Sequence, residues 1–181
     1  MSIELTIPET RLWDPVKEEF RYVKTQKLLL EHSLLSISKW EARWKKPYLN
    51  SEKSSVEVMD YIRCMTLTKN VNPDVYYAIP VEEIKRLNEY IVDPMTATTI
   101  TNHEQKRGKK NEIITAEIIY WQMAQLNIDL EWEKRHLNRL LMLIQVCAIK
   151  SQPPKKMSRS DVMRQNKALN AARRKKYHTK G

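Results

Sequence analysis

Four histidines, two cysteines and the carboxylates are the groups through which this 181-residue chain could do acid–base, nucleophilic or metal chemistry. The histidines are His32, His103, His136 and His178, and no two stand four residues apart. Cys64 and Cys147 are equally remote from each other, so no zinc-type ligand spacing exists. His136 opens the stretch His136-Leu137-Asn138-Arg139 within an apolar helical pattern. That context predicts a structural ring bonded to a backbone group or carboxylate rather than a base with a nucleophile beside it. Glu131 and Glu133 lie two apart on a helix and therefore diverge, which disfavours paired-carboxylate chemistry. Glu112 and Glu117 read as a first-turn charge and a helix-face charge. The only glycines are Gly108 and Gly181, so a dinucleotide fingerprint, a Walker loop or a nucleophile elbow cannot be built. The expectation is a protein that is not an enzyme and that uses no cofactor or metal.

Binding chemistry is better represented. Trp40 and Trp44, with Lys39, Arg43, Lys45, Lys46 and Tyr48, resemble an aromatic and basic face on which bases could stack. The two tryptophans are four residues apart, however, and share one helix face, which favours packing at a core edge or against a partner. The strongest electrostatic feature is the C-terminus. Residues 1–149 carry 21 Lys+Arg and 21 Asp+Glu, whereas residues 150–181 carry 11 basic residues and one acid, Asp161. The net charge of +10 thus belongs wholly to the last segment. Such a segment attracts polyanions with strong salt dependence, or folds against an acidic protein. Two domains are expected, a neutral globular one over 1–149 and a basic arm over 150–181.

Five Trp and eight Tyr against one Phe favour surfaces where one end of the ring is dry and the other wet. The cysteines fall in apolar helical patterns and read as buried free thiols of a reducing compartment. The N-terminal residues show no signal-peptide pattern, and the longest apolar run, Leu140 to Ile144, is far too short for a membrane span. These features predict a soluble, intracellular protein without a membrane partner.

The elements that must position these groups follow from periodicity. Ile3, Leu5 and Ile7 alternate with polar residues as in a half-buried strand stopped at Pro8, and Phe20, Tyr22 and Thr25 continue the mode after a turn at Asp14-Pro15. From Leu28 the period changes: Leu30, Leu34, Leu35, Ile37, Trp40 and Trp44 predict a helix ending before Pro47. Ser54 or Ser55 caps a second helix with Val58, Met59, Tyr61, Ile62 and Met65 inside. A turn at Asn72-Pro73-Asp74 precedes a helix from Pro80 to about Val92. The polar, basic stretch 102–111 predicts a loop. Ile113–Asn127 and Leu130–Ile149 predict two helices forming an αα-hairpin at the core's centre. After Gln152-Pro153-Pro154, Ser158 or Ser160 caps a last, weakly apolar helix through Ala172.

Several strings have a family likeness. They are His32-Ser33-Leu34-Leu35-Ser36-Ile37-Ser38-Lys39-Trp40-Glu41, Lys46-Pro47-Tyr48-Leu49, Tyr61-Ile62-Arg63-Cys64-Met65-Thr66-Leu67-Thr68 and Met95-Thr96-Ala97-Thr98. Glu112-Ile113-Ile114-Thr115-Ala116-Glu117 and the block from Leu169 through Lys176 to Gly181 belong with them. Together they resemble proteins encoded in the virion structural module of long-tailed bacteriophages, specifically tail assembly chaperones. The resemblance implies binding of the tape-measure protein, whose apolar helices such chaperones keep soluble, and assistance to tail-tube subunits polymerising around it. It implies no catalytic residues, and a place in the host bacterial cytoplasm during assembly. Trp40, Trp44, Met59, Met65, Trp121 and Met123 are candidates for adaptable apolar contacts. The expected partner-binding set is Trp40, Trp44, Lys155, Lys156, Arg159, Arg164, Arg173, Arg174, Lys175 and Lys176. The alternatives are a minor virion component, such as a head-completion or tail protein, and a nucleic-acid-binding protein acting through the arm; a homo-oligomer fits any of these. The expected fold is mainly α, a helical domain with a small N-terminal β element and a basic C-terminal helical arm.

Overall fold

A computed structural model describes residues 2–100, 113–151 and 159–177. The chain divides into two compact units, residues 1–148 and 149–181. The first is mainly helical and begins with a small β element, as the apolar periodicities require.

That β element comprises β1 (Ile3–Ile7), β2 (Thr10–Asp14), β3 (Glu19–Val23) and β4 (Gln26–Leu30). Strands β1 and β4 pair antiparallel from Ile3↔Leu30 to Ile7↔Gln26, and β2 and β3 pair from Thr10↔Val23 to Asp14↔Glu19. Both ladders keep one register, so the four strands form a single long hairpin interrupted at Pro8-Glu9 and Lys24-Thr25. Pro8 has no N–H to give a ladder, which accounts for the break on its strand. The interruption also switches which side chains face inward. Leu5, Ile7, Leu28 and Leu30 are buried in the first half, whereas Asp14 and Val23 are buried in the second. Phe20 and Tyr22, expected to continue the buried pattern, therefore point outward and are exposed. The tip is closed by Asp14, whose Oδ1 accepts the N–H of Val16 at 3.0 Å and of Lys17 at 3.3 Å. Arg21 pairs with Asp14 and with Asp74, tying the tip to the 3₁₀ helix Pro73–Ala78.

Leu28 and Leu30 lie in β4, not at the start of a helix. Beyond β1, the strand meets residues 65–67: Glu31 N–H donates to Met65 O at 3.0 Å and Leu67 N–H to Leu29 O at 2.7 Å. Helix α1 (Leu34–Trp44) starts only after Ser33, which closes a capping box with Ser36. Lys45, in the left-handed region at φ 55°, ends it. Helix α2 (Ser55–Met65) has a second capping box, between Ser54 and Glu57. Val58, expected on its inner face, is exposed. Helix α3 (Val81–Val92) begins one residue after Pro80.

The C-terminal half of this unit departs further from expectation. Helix α4 is confined to Ala116–Gln125. The helix expected over Leu130–Ile149 is a 3₁₀ helix, Leu130–Lys134, followed by α5 (Leu137–Ser151). The break falls where the backbone is used elsewhere: Ser33 and His136 form an antiparallel bridge, and Leu137 N–H donates to His32 O at 2.8 Å. Nor is an α4–α5 hairpin the central packing unit, because α1 holds that place, packed on both α2 and α4. The core runs from Leu5, Ile7, Leu28 and Leu30 through Leu34, Ile37 and Trp40 to Met65, Ile119, Met123, Leu137 and Leu140. Cys64 and Cys147 are free, but only partly buried.

In the second unit, α6 (Arg159–Tyr177) ends in Arg174, Lys175 and Lys176, where cations complement the helix dipole. Its described side chains are exposed.

Candidate functional site

The chemistry-bearing residues converge at two places in the first unit. One is closed and the other open. The closed one begins where β4 passes into α1. Glu31, His32, Ser33 and Ser36 are all buried there, with His136 opposite and Tyr61 and Tyr90 alongside. His32 Nδ1 and the Tyr61 hydroxyl are 2.5 Å apart, and the Tyr90 hydroxyl donates to Glu31 Oε1 at 2.6 Å. His136 Nε2 lies 3.0 Å from the Tyr90 carbonyl, which can only accept, so this nitrogen carries the proton. Its Nδ1 accepts the N–H of Asn138 at 3.3 Å. Both ring nitrogens are thus satisfied with the imidazole neutral. Burial pushes the His32 imidazole down to about 3, with the neighbouring His136 adding to the effect. Burial also lowers His136, against the pull of the Tyr90 carbonyl, Glu31 and Asp93. The Tyr61 and Tyr90 hydroxyls are raised by desolvation. Edge-to-face ring contacts join His136 to Tyr90, His136 to His32 and His32 to Tyr61. This cluster binds β4, α1, α2, α3 and α5 together, and the enclosed rings serve packing and polar satisfaction.

The open place is a groove of about 420 Å³ between the C-terminal part of α1 and the outer face of α2, reaching Tyr77. Its floor is Trp44, Val56 and Met59, and its rim carries Arg43 and Arg63. Asp60 holds the wall: one carboxylate oxygen binds Arg43 and the other accepts Trp44 Nε1 at 2.9 Å. Arg63 lies over the rings of Tyr76 and Tyr77 at 5.3 and 5.7 Å. Its Nε is buried without a hydrogen-bond partner. An adjoining depression shares Arg43 and Arg63 and adds Lys39, Ala42, Cys64 and Thr66. Desolvation raises the Cys64 thiol, so it is not an activated nucleophile.

No family model, curated protein or solved structure matches this chain.

Of the residues expected to bind partners, Trp40 is fully buried and Trp44 keeps a partial exposure on the groove. The Trp40 Nε1 donates to Glu57 O at 2.9 Å, which holds the ring beneath α2, as packing at a core edge requires. Met65 and Met123 are core residues as well, whereas Met59 lines the groove and Trp121 is exposed. Lys155 and Lys156 lie outside the described residues, as does the loop expected over 102–111. Arg159, Arg164, Arg173, Arg174, Lys175 and Lys176 all belong to α6 and are exposed.

Periodicity missed Arg63, Val56 and Tyr77, because a groove wall is made by whichever exposed faces two elements turn to each other. It also missed the outer face of the hairpin tip. There Trp13 stands opposite Phe20 with ring centroids 5.0 Å apart, and Arg11 lies 5.0 Å over Tyr22. The alternation of exposed aromatics in β2 and β3 was the available signal.

Proposed function

We propose that the chain is a non-enzymatic morphogenesis factor of a long-tailed bacteriophage, a tail assembly chaperone working in the host cytoplasm. Its clients are the tape-measure protein and the tail-tube subunits that polymerise around it. The observation that carries this reading is the open groove, whose Trp44 and Met59 offer adaptable apolar contact beside cationic rims. The family likeness of its sequence blocks supplies the identity of the client. Residues 150–181, whose helix α6 spans Arg159–Tyr177, act as a basic arm that adds electrostatic attraction to an acidic partner. Among the described residues no helix is long and apolar enough to cross a membrane, and no group of three His, Cys, Asp or Glu is placed to hold a metal ion.

Co-expression with the tape-measure protein of the same genome tests the proposal. The client should move from the insoluble to the soluble fraction when the full chain is present. An unchanged distribution overturns the chaperone reading. The chain should also be absent from purified particles by mass spectrometry; its presence would favour a minor virion component.

The cluster Arg173 to Lys176 on exposed α6 supports a second reading, nucleic-acid binding. Here affinity should fall steeply with salt and vanish on deletion of residues 150–181. Binding retained by residues 1–149 would refute the role of the arm.

A further inference from the structure

We infer that the groove between α1 and α2 receives an acidic amphipathic helix of the client, a deepening that rests on the chaperone reading. Three observations converge on that occupant. The first is the charge balance. Asp60 is the groove's one lining carboxylate; it is 5% exposed, and Arg43 and Trp44 already occupy its two oxygens. Arg63 faces no carboxylate within ion-pair distance among the described residues and reaches only the Tyr77 hydroxyl, at 3.4 Å; Lys39, in the adjoining depression, faces none either, so this side of the groove presents unmatched positive charge. An incoming Glu or Asp supplies the anion that Arg63 lacks, and the guanidinium is already oriented by Tyr76 and Tyr77.

The second is the floor. Val56 is 65% exposed, and with Trp44 and Met59 it supplies the apolar lining of a groove that also carries Arg43 and Arg63. A ligand matching lining and cations together must carry apolar and acidic residues on adjacent stripes. The third is the state of the backbone. The groove walls are two helices, α1 and α2, which present side chains and helix ends but no strand edge to which an extended segment could add. An extended segment would leave its own amides unpaired against the floor, whereas a helix brings them satisfied.

The probe is a synthetic amphipathic helical peptide of about 18 residues, roughly five turns, with a leucine face flanked by glutamates. Its twin carries lysines in place of the glutamates. Binding of both to the full chain is read by fluorescence anisotropy. The glutamate peptide should bind at least about tenfold more tightly than the lysine twin, a difference of about 1.4 kcal/mol. The double charge reversal Lys39→Glu with Arg63→Glu should invert that preference. Val56→Glu, at an exposed position near the start of α2, should weaken the glutamate peptide about tenfold with unchanged circular dichroism. Absence of binding, equal binding of the two peptides, or indifference to Val56→Glu overturns the inference.

The co-expression assay separates this failure from failure of the chaperone reading. If wild type and Val56→Glu solubilise the tape-measure protein equally, the chaperone reading stands and the groove falls. If wild type binds the glutamate peptide but leaves the client insoluble, the groove stands and the chaperone reading falls.

Discussion

Lowering the pH from 7 to 5 should destabilise the first unit through the enclosed histidines. His32 is 3% exposed and its folded value is about 3, against an ordinary value of 6.5. A base with a lowered folded value contributes stability that is complete above 6.5 and is lost as the pH falls, because the unfolded chain then takes up the proton first. At pH 5 the unfolded imidazole is stabilised by about 2 kcal/mol through protonation while the folded ring stays neutral. The loss continues down to about pH 3. His136 acts in the same direction, because burial lowers its value, and its Nδ1 already accepts the N–H of Asn138. Asp14 and Glu57 also have lowered values, but their contribution disappears only below the ordinary carboxylate range, near pH 4. The window between pH 7 and 5 therefore isolates the histidines. Urea denaturation followed by tryptophan fluorescence should show wild type losing about 2 kcal/mol or more over this interval. His32→Asn keeps a polar atom near the Nδ1 position and cannot titrate, so it should lose about 2 kcal/mol less. Equal stability of wild type at both pH values, or an unchanged pH slope in His32→Asn, would refute the argument.

Glu41→Ala should cost about 2–4 kcal/mol, read by the same denaturation, because its buried carboxylate accepts the N–H of Tyr48 and of Ala116, each at 2.7 Å. Trp40→Ala should cost about 3–5 kcal/mol and lower the melting temperature accordingly, since it empties a fully buried site and removes the indole's hydrogen bond to the Glu57 carbonyl. Ser33→Ala removes one capping box and should cost about 1 kcal/mol. Trp13→Ser, on the exposed hairpin face, should cost about 0.5–1.5 kcal/mol by the same denaturation, because it removes the edge-to-face contact with Phe20; unchanged stability would refute a contribution from that pair.

What local chemistry dictates was legible in the residues themselves. Ser54, Pro8 and the turn at Asn72-Pro73-Asp74 announce boundaries because the groups that decide them are within four residues, whereas the Ser33 cap of α1 was hidden by the leucines before it. The alternation of Ile3, Leu5 and Ile7 announces a strand, and the apolar positions of Ile37 and Trp40 announce a core face of α1. The mainly helical character with a small β element follows from such periods.

Other features depended on partners far away in the chain. The stretch from Leu28 reads as helical from its own leucines, yet β1 and residues 65–67 satisfy the backbone of β4 on both edges and make it a strand. Residues 135–136 suit a continuous helix, but the bridge to Ser33 and the bond from Leu137 to the His32 carbonyl take them out of it. Helix α4 starts at Ala116 because Glu41, 75 residues earlier, accepts its first N–H, a service Thr115 does not perform. The groove is of the same kind: Trp44, Val56, Met59 and Arg63 are ordinary helix-surface residues until α1 and α2 pack. By itself the sequence determined the short-range caps, periods and charge distribution, since those energies act within a turn or a strand. Tertiary structure decided which backbone groups found distant partners and which exposed faces came to share one cleft, because burying an unpaired amide costs more than any local preference.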